Sequence, residues 1–574
     1  MIQSNNQRGE VRVGPTMNRQ LFGVFGDRAE FSRLSAIEQF DHVIEGDSAT
    51  VGIRDVGYGL PGRTTVYESD DGICLIWGEI IQETPQPPAK RLLERYAETG
   101  KSAFDELNGS YLAFVEHKND ALLITDPIRS WEAFYTDAPG VRTFGTDAAK
   151  VARTIPDPQL DDRTVAEIIH FGTSFSDSTV VTDLKRIPFD GYLTPDSVGE
   201  LRRFVYRPKE FDYVGELATR LQRAIERRVP LPGQKGLLLG PGCDSRIVLS
   251  QHPELDAAYT VGSSSTACTL AGRHGVEYAA LPISERSLDI RPEVIQYTQG
   301  IRESVHIHHR GNTDAIDADT IYHGTLFDTL LRGQFLPAHE VELFGRTVTF
   351  DGLDPNPDIT QHVKSRFGCA GAESIVTDDR FSETDIAGRR PKDLVEPSFE
   401  SCWDRTDSVY NAIDLFSIKQ TPTLAFRTHL ADHFLESFIA ADRDLIEWHL
   451  TTPPEYRTER TFRAALERLD ATVLGPTSPV RIRSQHHPIE GFLERIVPDR
   501  APFGNGSSST SNPSAVDLDT IYETDSLDQK LFPGYDEIHS LPARVKLRMN
   551  DLITWIEYAT GEPRYTPDQL MSLF

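Results

Sequence analysis

The chain is short of cysteine, of lysine and of long apolar runs, and each shortage closes off a class of protein. Five cysteines (Cys74, Cys243, Cys268, Cys369 and Cys402) are scattered over 574 residues without a Cys-x-x-Cys pair. That spacing excludes a disulfide framework and a cysteine-rich zinc site. No run of about 18 apolar residues occurs, so no membrane-spanning helix is expected. Residues 1–8 are polar and lack the apolar stretch of a signal peptide, which points to a cytoplasmic location. There are only 12 lysines against 47 arginines, and the formal net charge is −28. The negative charge is spread along the chain rather than gathered in a tail, so nucleic acid and anionic membranes are repelled. An acidic surface with little lysine fits a halophilic source, since a Debye length of about 3 Å at 1 M salt screens self-repulsion. Compositional drift in a GC-rich genome produces the same bias.

What remains is an ordinary globular composition, with 39% hydrophobic and 25% charged residues. Its length suggests roughly three to five domain-sized units, two or three of them large. Residues 1–18 are polar and expected to be disordered. From Arg19 to residue 207 the chain reads as short strands broken by turn residues: Gln20–Phe25, Gly72–Ile80, Ser110–Val115, Ala121–Thr125 and Ala133–Tyr135. Helices are expected near Pro88–Glu98 and Asp162–His170, giving an α+β domain with sheet-on-sheet packing. After Pro208 the period changes. Val214, Leu217, Leu221 and Ile225 recur at helical spacing over Asp212–Arg228. Strands at Leu237–Leu239, Ala257–Val261, Val276–Leu281 and Asp319–Tyr322 then alternate with helical segments, which implies a doubly wound parallel sheet. Residues 408–466 read as mainly helical. Residues 481–574 form a C-terminal extension with a Ser/Gly-rich loop at 504–513 and a terminal helix near Leu541–Thr560. No internal repeat is present.

The stretch Gly236 to Ser250 organises the second half. A buried strand ending at Leu239 runs into the turn Gly240-Pro-Gly-Cys-Asp-Ser245 and then into a helix carrying Ile247, Val248 and Leu249. Gly240 and Gly242 let the backbone turn sharply and let an anion approach the amides with no Cβ in the way. Ser245 and the first helical N–H groups offer that anion the positive end of a helix dipole. Asp244 would repel a bare phosphate, so a bridging Mg²⁺ makes sense of it. No Gly-Lys-Ser/Thr comes after it, so the turn is not a Walker loop. A plain strand–helix turn is the bland alternative.

Together these residues resemble glutamine-hydrolysing asparagine synthetase and its relatives, including β-lactam synthetase, over roughly residues 20–470. The resemblance implies an Ntn-hydrolase-like glutaminase sandwich over 19–207. It also implies an ATP pyrophosphatase-type (adenine nucleotide alpha hydrolase-like) domain over 208–480, with a helical C-terminal part. The family's synthetase signature maps onto Gly240–Ser245, with Gly242, Asp244 and Ser245 matching; Pro241 removes an N–H. Its second signature maps onto His323–Thr329, where Gly324 and Asp328 match and Thr325 and Thr329 replace acids. Its third maps onto Arg427–Asp432, with His429 and Ala431 departing. The activity implied by this resemblance is that of an ATP- and Mg²⁺-dependent ligase that adenylates a carboxylate and passes it to an amine or ammonia. Asp244 and Asp328 would hold the metal. Leu239, Gly240, Gly242, Asp244 and Ser245 would cradle pyrophosphate, and Val261, Gly262 and Gly324 would border the nucleoside. A homodimer is compatible with the family.

The departures matter as much. Phe22 stands where the family has its glutaminase nucleophile, and Trp77 replaces an oxyanion-hole asparagine, so glutamine hydrolysis is not expected. The family's phosphate-facing lysine has no counterpart between Lys419 and Lys530. Arg457, Arg460 and Arg463 are the substitutes at hand, either as catalytic cations or as a solvated helix face; arginine clamps phosphate but cannot give or take a proton. A catalytically impaired protein that binds a nucleotide or metabolite for regulation or scaffolding is the alternative. His306-Ile-His-His309 reads as a polar loop rather than a metal site, and Cys243 as packing. Ser263 to Ser265 read equally as an N-cap loop, and Trp403–Asp407 as a cap region with Thr406 or Asp407 as the cap.

Overall fold

Strands with apolar residues on both faces demand cover on both, and the N-terminal half supplies it in four layers. The computed structural model describes residues 17–118, 120–282, 291–307, 309–343, 346–367, 386–421, 425–475 and 525–573. Twelve strands come first: β1 (Gln20–Val24), β2 (His42–Glu45), β3 (Thr50–Arg54), β4 (Thr65–Ser69), β5 (Gly72–Ile80), β6 (Gly109–His117), β7 (Asp120–Thr125), β8 (Phe134–Thr136), β9 (Thr143–Gly145), β10 (Leu184–Arg186), β11 (Gly191–Leu193) and β12 (Val198–Glu200). They form two six-stranded sheets, ordered β10-β8-β9-β1-β3-β2 and β12-β11-β7-β6-β5-β4. Alternation along β5 shows how they pack. Ile73, Leu75 and Trp77 meet Leu21, Val51 and Ile53 of the facing sheet. Cys74, Ile76 and Ile80 face Ala89, Leu92 and Leu93 of the helix Pro88–Thr99. On the outer face of the first sheet, Phe22 and Val24 pack with Val151, Val165 and Ile168 of two further helices. The sheet-on-sheet packing expected from the short strands is therefore present.

The second half builds a five-stranded parallel sheet in the order β15-β14-β13-β16-β19, from β13 (Lys235–Leu238), β14 (Ala257–Val261), β15 (Glu277–Leu281), β16 (Thr320–Tyr322) and β19 (Leu435–Ser437). Every neighbouring pair is parallel. Strand order reverses beside β13, the kind of switch point that opens a crevice at the carboxyl ends. Two elements escape a sequence reading. The span 408–466 contains β19, a three-residue strand too short to show a period. An antiparallel hairpin, β17 (Ala338–Leu343) with β18 (Arg346–Leu353), comes after β16.

The termini also correct the expectation. Met17 is buried and Asn18 donates to the Asp432 carbonyl, so residues 17–18 are held in place; residues 1–16 and the loop 504–513 lie outside the described residues. The terminal helix Ala543–Thr560 is not a free appendage. Arg544 and Arg548 both pair with Glu303, Asp551 accepts from Ser304, and Arg153 of the N-terminal half donates to the Tyr558 carbonyl. Against the burial that would raise it, Arg544 and Arg548 hold Glu303 well below the usual carboxylate range.

Buried ion pairs join the sandwich to the parallel sheet. Arg228 Nε lies 2.8 Å from Glu79 of β5, and its Nη1 lies 2.9 Å from Asp442, just past β19. Arg427 pairs with Glu436 of β19 and donates to Ser110 Oγ and the Ser130 carbonyl across the interface. Removing one partner of such a pair strands the other. Arg228→Met is expected to lower stability by about 3–5 kcal/mol, read as a fall in the urea midpoint at fixed salt; an unchanged midpoint would contradict a joining role.

Candidate functional site

The Gly240–Ser245 turn sits at the carboxyl end of β13, in the crevice that the strand order creates. Leu239 N–H donates to the Tyr259 carbonyl at 2.8 Å and so continues the pairing with β14. The chain then leaves the sheet, and the helix Asp244–Gln251 begins. Ser245 Oγ accepts from Gly240 N–H at 3.1 Å, which closes the turn. Arg246, buried behind it, donates from Nε to the Gly242 carbonyl at 2.9 Å and from Nη2 to the Pro241 carbonyl at 2.7 Å. These bonds turn the loop's carbonyls inward onto a guanidinium. Arg246 Nη1 also reaches the Val473 carbonyl at 2.8 Å.

The two glycines are not demanded by the backbone. Neither Gly240 nor Gly242 has a positive φ, and a Cβ on Gly242 would meet no described atom within 4 Å. The expectation that they serve a sharp turn is corrected; what they leave is an open lip. Gly324 is the opposite case. A Cβ there would lie 2.7 Å from the Asp244 carbonyl carbon and 2.8 Å from Ser245 N. Only glycine lets the end of β16 touch the turn. The next residues bend sharply, with Leu326 buried in the left-handed region at φ 74°, before the short helix Phe327–Leu330 that carries Asp328. That conformation is uncommon outside glycine and stores strain beside the crevice. On the other side, Gly262 ends β14 at φ 82° and donates to the Leu281 carbonyl, placing Val261 and Gly262 at the same rim. Ser264 caps the helix Ser265–Arg273 by accepting from Ala267 N–H, so the cap reading holds for it.

Asp244 and Asp328, some 80 residues apart, converge. Burial pushes the Asp244 carboxyl up to about 7, with Asp328 and Glu459 adding to the rise against the pull of Arg332. Two carboxylates, Asp244 and Asp328, with a ligand's phosphate oxygens suit a hard divalent metal such as Mg²⁺. Yet the cation present is Arg332. Its Nε lies 3.1 Å from Asp244 Oδ1, its Nη2 3.1 Å from Asp244 Oδ2, and its Nη1 2.8 Å from Glu459 Oε2. Asp328 Oδ1 accepts from Thr329 N–H at 2.7 Å. The donor set fits a metal once Arg332 yields Asp244.

The arginines expected to replace a lysine separate. Arg457 is fully buried, and its donors go to Asp414, Asn411 and the Thr452 carbonyl; it holds the core together and is corrected as a catalytic candidate. Arg460 is exposed. Arg463 is half-buried, and its Nη1 lies 3.9 Å from Cys243 Sγ, so it reaches the turn. Cys243 packs in the core, where burial pushes its thiol up. Sequence reading missed Arg332 and Glu459. The one signal for Arg332 was its place four residues beyond Asp328, and Glu459 stood unremarked among the flagged arginines.

Elsewhere, Phe22 stacks among Phe31 and Phe40 in the outer core, whereas Trp77 lies between the sheets against Trp131, with Arg19 over both indoles. The structure does not bring Phe22 and Trp77 together. The helix after Trp403–Arg405 is capped by Ser408, not by Thr406 or Asp407. His306 pairs with Glu303, and His309 meets His429 at 2.9 Å. No group of three metal-capable side chains occurs among the described residues. None of the described helices is long and apolar enough to cross a membrane.

No family model matches the chain, and no curated protein matches it. Among solved structures it is similar to glutamine phosphoribosylpyrophosphate amidotransferase from B. subtilis, complexed with ADP and GMP, at 11% identity and a TM-score of 0.21. That match covers 46% of this chain and 59% of that one. A second, the allosteric regulatory enzyme of purine biosynthesis, gives 12% identity and a TM-score of 0.20 over 55% of this chain and 70% of that one. Similarity this weak carries no argument for function.

The site's charges make its metal affinity depend on pH. Because a metal takes only the ionised carboxylate and Asp244 sits at about 7, affinity for Mg²⁺ alone should fall with decreasing pH below that value and level off above it. Titration calorimetry at pH 6 and pH 8 checks this, and a flat profile rejects Asp244 as a ligand. Arg457→Met should cost about 3–5 kcal/mol of stability, whereas Arg460→Ala should stay within about 0.5 kcal/mol, both read from denaturant midpoints.

Proposed function

We propose that the chain binds ATP at the Gly240–Ser245 turn and adenylates a carboxylate, forming an amide with an amine or ammonia as an asparagine synthetase-like ligase. The reading rests above all on one juxtaposition: Gly324 at the end of β16 lies against Asp244 and Ser245 at the end of β13. That contact sets two carboxylate-bearing loops, an open glycine lip and a helix N-terminus around one crevice. Leu239, Gly240, Gly242 and Ser245 would face pyrophosphate, and Val261, Gly262 and Gly324 the nucleoside. Asp244 and Asp328 would hold Mg²⁺, which when bound neutralises phosphate charge and polarises the leaving pyrophosphate. Ammonia would have to come from outside, since Phe22 carries no nucleophile.

A second reading, a nucleotide-binding protein with a regulatory or scaffolding role, draws on the burial of Arg457 and the exposure of Arg460. Neither residue supplies the cation expected at the phosphates, and the sequence has no lysine between Lys419 and Lys530.

Pyrophosphate release from ATP across a panel of carboxylates, in molar KCl, separates the two. Release with at least one substrate is expected. ATP binding without release for any of them leaves the second reading standing. Asp244→Asn should weaken ATP/Mg²⁺ binding by about tenfold or more; unchanged affinity would remove the site itself.

A further inference from the structure

Arg332 is placed oddly for a structural ion pair. It comes just after the helix Phe327–Leu330, and besides donating to Gln334 of its own segment its guanidinium binds acids from two others: Asp244 on the turn and Glu459 on the helix Glu459–Asp470. Its side chain is 11% exposed, whereas its partners Asp244 and Glu459 are 25% and 34% exposed and open toward solvent. It meets Asp244 through one hydrogen bond, Nη2 to Oδ2, while Nε lies 3.1 Å from Oδ1 without hydrogen-bond geometry; a guanidinium held this loosely keeps a donor for a phosphate oxygen. Its partner Asp244 belongs to the same turn as the open lip, where a Cβ on Gly242 would meet no described atom within 4 Å.

The charges ask for such a residue. Asp328 and Glu459, each in the first turn of its own helix, add their charge to that of Asp244 in the first turn of a third, and an anion approaching alone would be repelled. A metal on Asp244 and Asp328 relieves that repulsion only if Asp244 is first freed; the guanidinium then keeps Glu459 and Gln334, and its Nε, which makes no hydrogen bond, can turn to the incoming anion. Arg457 cannot take this part, because Asp414 and Asn411 hold it in the core.

We propose that Arg332 is an exchangeable cation: it neutralises Asp244 before ligand binds and passes to the ligand's phosphate oxygens when a divalent metal takes Asp244 and Asp328. Arg332 is thus the phosphate-facing residue of the site, and its first partner keeps the metal from settling without the anion. The proposal deepens the phosphate reading of the turn and rests on it. The lock predicts that metal alone binds weakly and that metal with pyrophosphate binds well.

The test uses the full-length protein in molar KCl, with Mg²⁺ alone and inorganic pyrophosphate plus Mg²⁺ as probes in titration calorimetry. Arg332→Gln is expected to tighten Mg²⁺ alone and to weaken pyrophosphate with Mg²⁺, each by about tenfold or more, the worth of a charge-assisted hydrogen bond. Arg332→Lys, which keeps the charge and loses the fork, should recover part of the pyrophosphate affinity and serves if the glutamine variant does not fold. A purely structural arginine would weaken both probes together, and that result overturns the exchange. So does a glutamine variant with both affinities unchanged. If the wild-type protein binds no pyrophosphate with or without Mg²⁺, the phosphate reading falls and the exchange falls with it. If the wild type binds it and the variants bind it equally, only the exchange is lost.

Discussion

The structure depends on arginine–carboxylate pairs buried where the sandwich meets the parallel sheet. Arg228 bridges Glu79 of β5 and Asp442 beyond β19, and Tyr322 of β16 donates to the Arg228 carbonyl at 2.7 Å. Arg63 donates to the carbonyls of Glu436 and Leu435, the edge strand of the parallel sheet. Arg427 and His323 both meet Glu436, and the guanidinium together with these hydrogen bonds outweighs its burial and holds its carboxyl well below the usual range. Removing such charges from water is costly unless each is paired and hydrogen-bonded. The interface therefore tolerates one relative placement of the halves, and that placement positions the ends of β13 and β16.

The crevice inherits its shape from this constraint. β16 lies between β13 and β19, so pairs that anchor β19 also set where Gly324 meets the turn. The contact leaves no room for a side chain, whereas the lip at Gly242 is open. A turn tight on its protein side and open on its solvent side is what a ligand-bearing loop needs. The same arginine chemistry that joins the halves recurs in the crevice with a difference. Arg228 and Arg457 are sealed from solvent, but Arg332 pairs with acids that remain partly exposed, and only pairs of the latter kind can trade partners.

The N-terminal sandwich shows the same dependence on packing. The two positions that matter in a glutaminase-like reading, Phe22 and Trp77, are filled by aromatic packing on opposite sides of one sheet. Adjacent residues of a strand point to opposite faces, so Leu21, not Phe22, shares the inter-sheet core with Trp77. What the sandwich contributes instead is surface for docking: β5 supplies Glu79, and the segment around β6 and Trp131 receives Arg427.

Much was legible from the chain alone because it is written locally. A run bounded by turn residues announced β5 over its full length, the shift to helical spacing announced the helix Tyr213–Glu226, and the glycine turn leading into Asp244 and Ser245 announced a strand–helix junction. Spacing within a segment is a property of that segment, so sequence determines it. The tertiary structure alone decided which distant charges would meet. Arg457 and Arg332 look alike as letters; one is locked onto Asp414 in the core, and the other reaches Asp244 at the crevice. Strand β19 exists because β16 offered it an edge, not because three residues carry a pattern. Pairing across 43 residues, as for Arg457 with Asp414, or 88, as for Arg332 with Asp244, depends on how the chain closes on itself, and no local period encodes that.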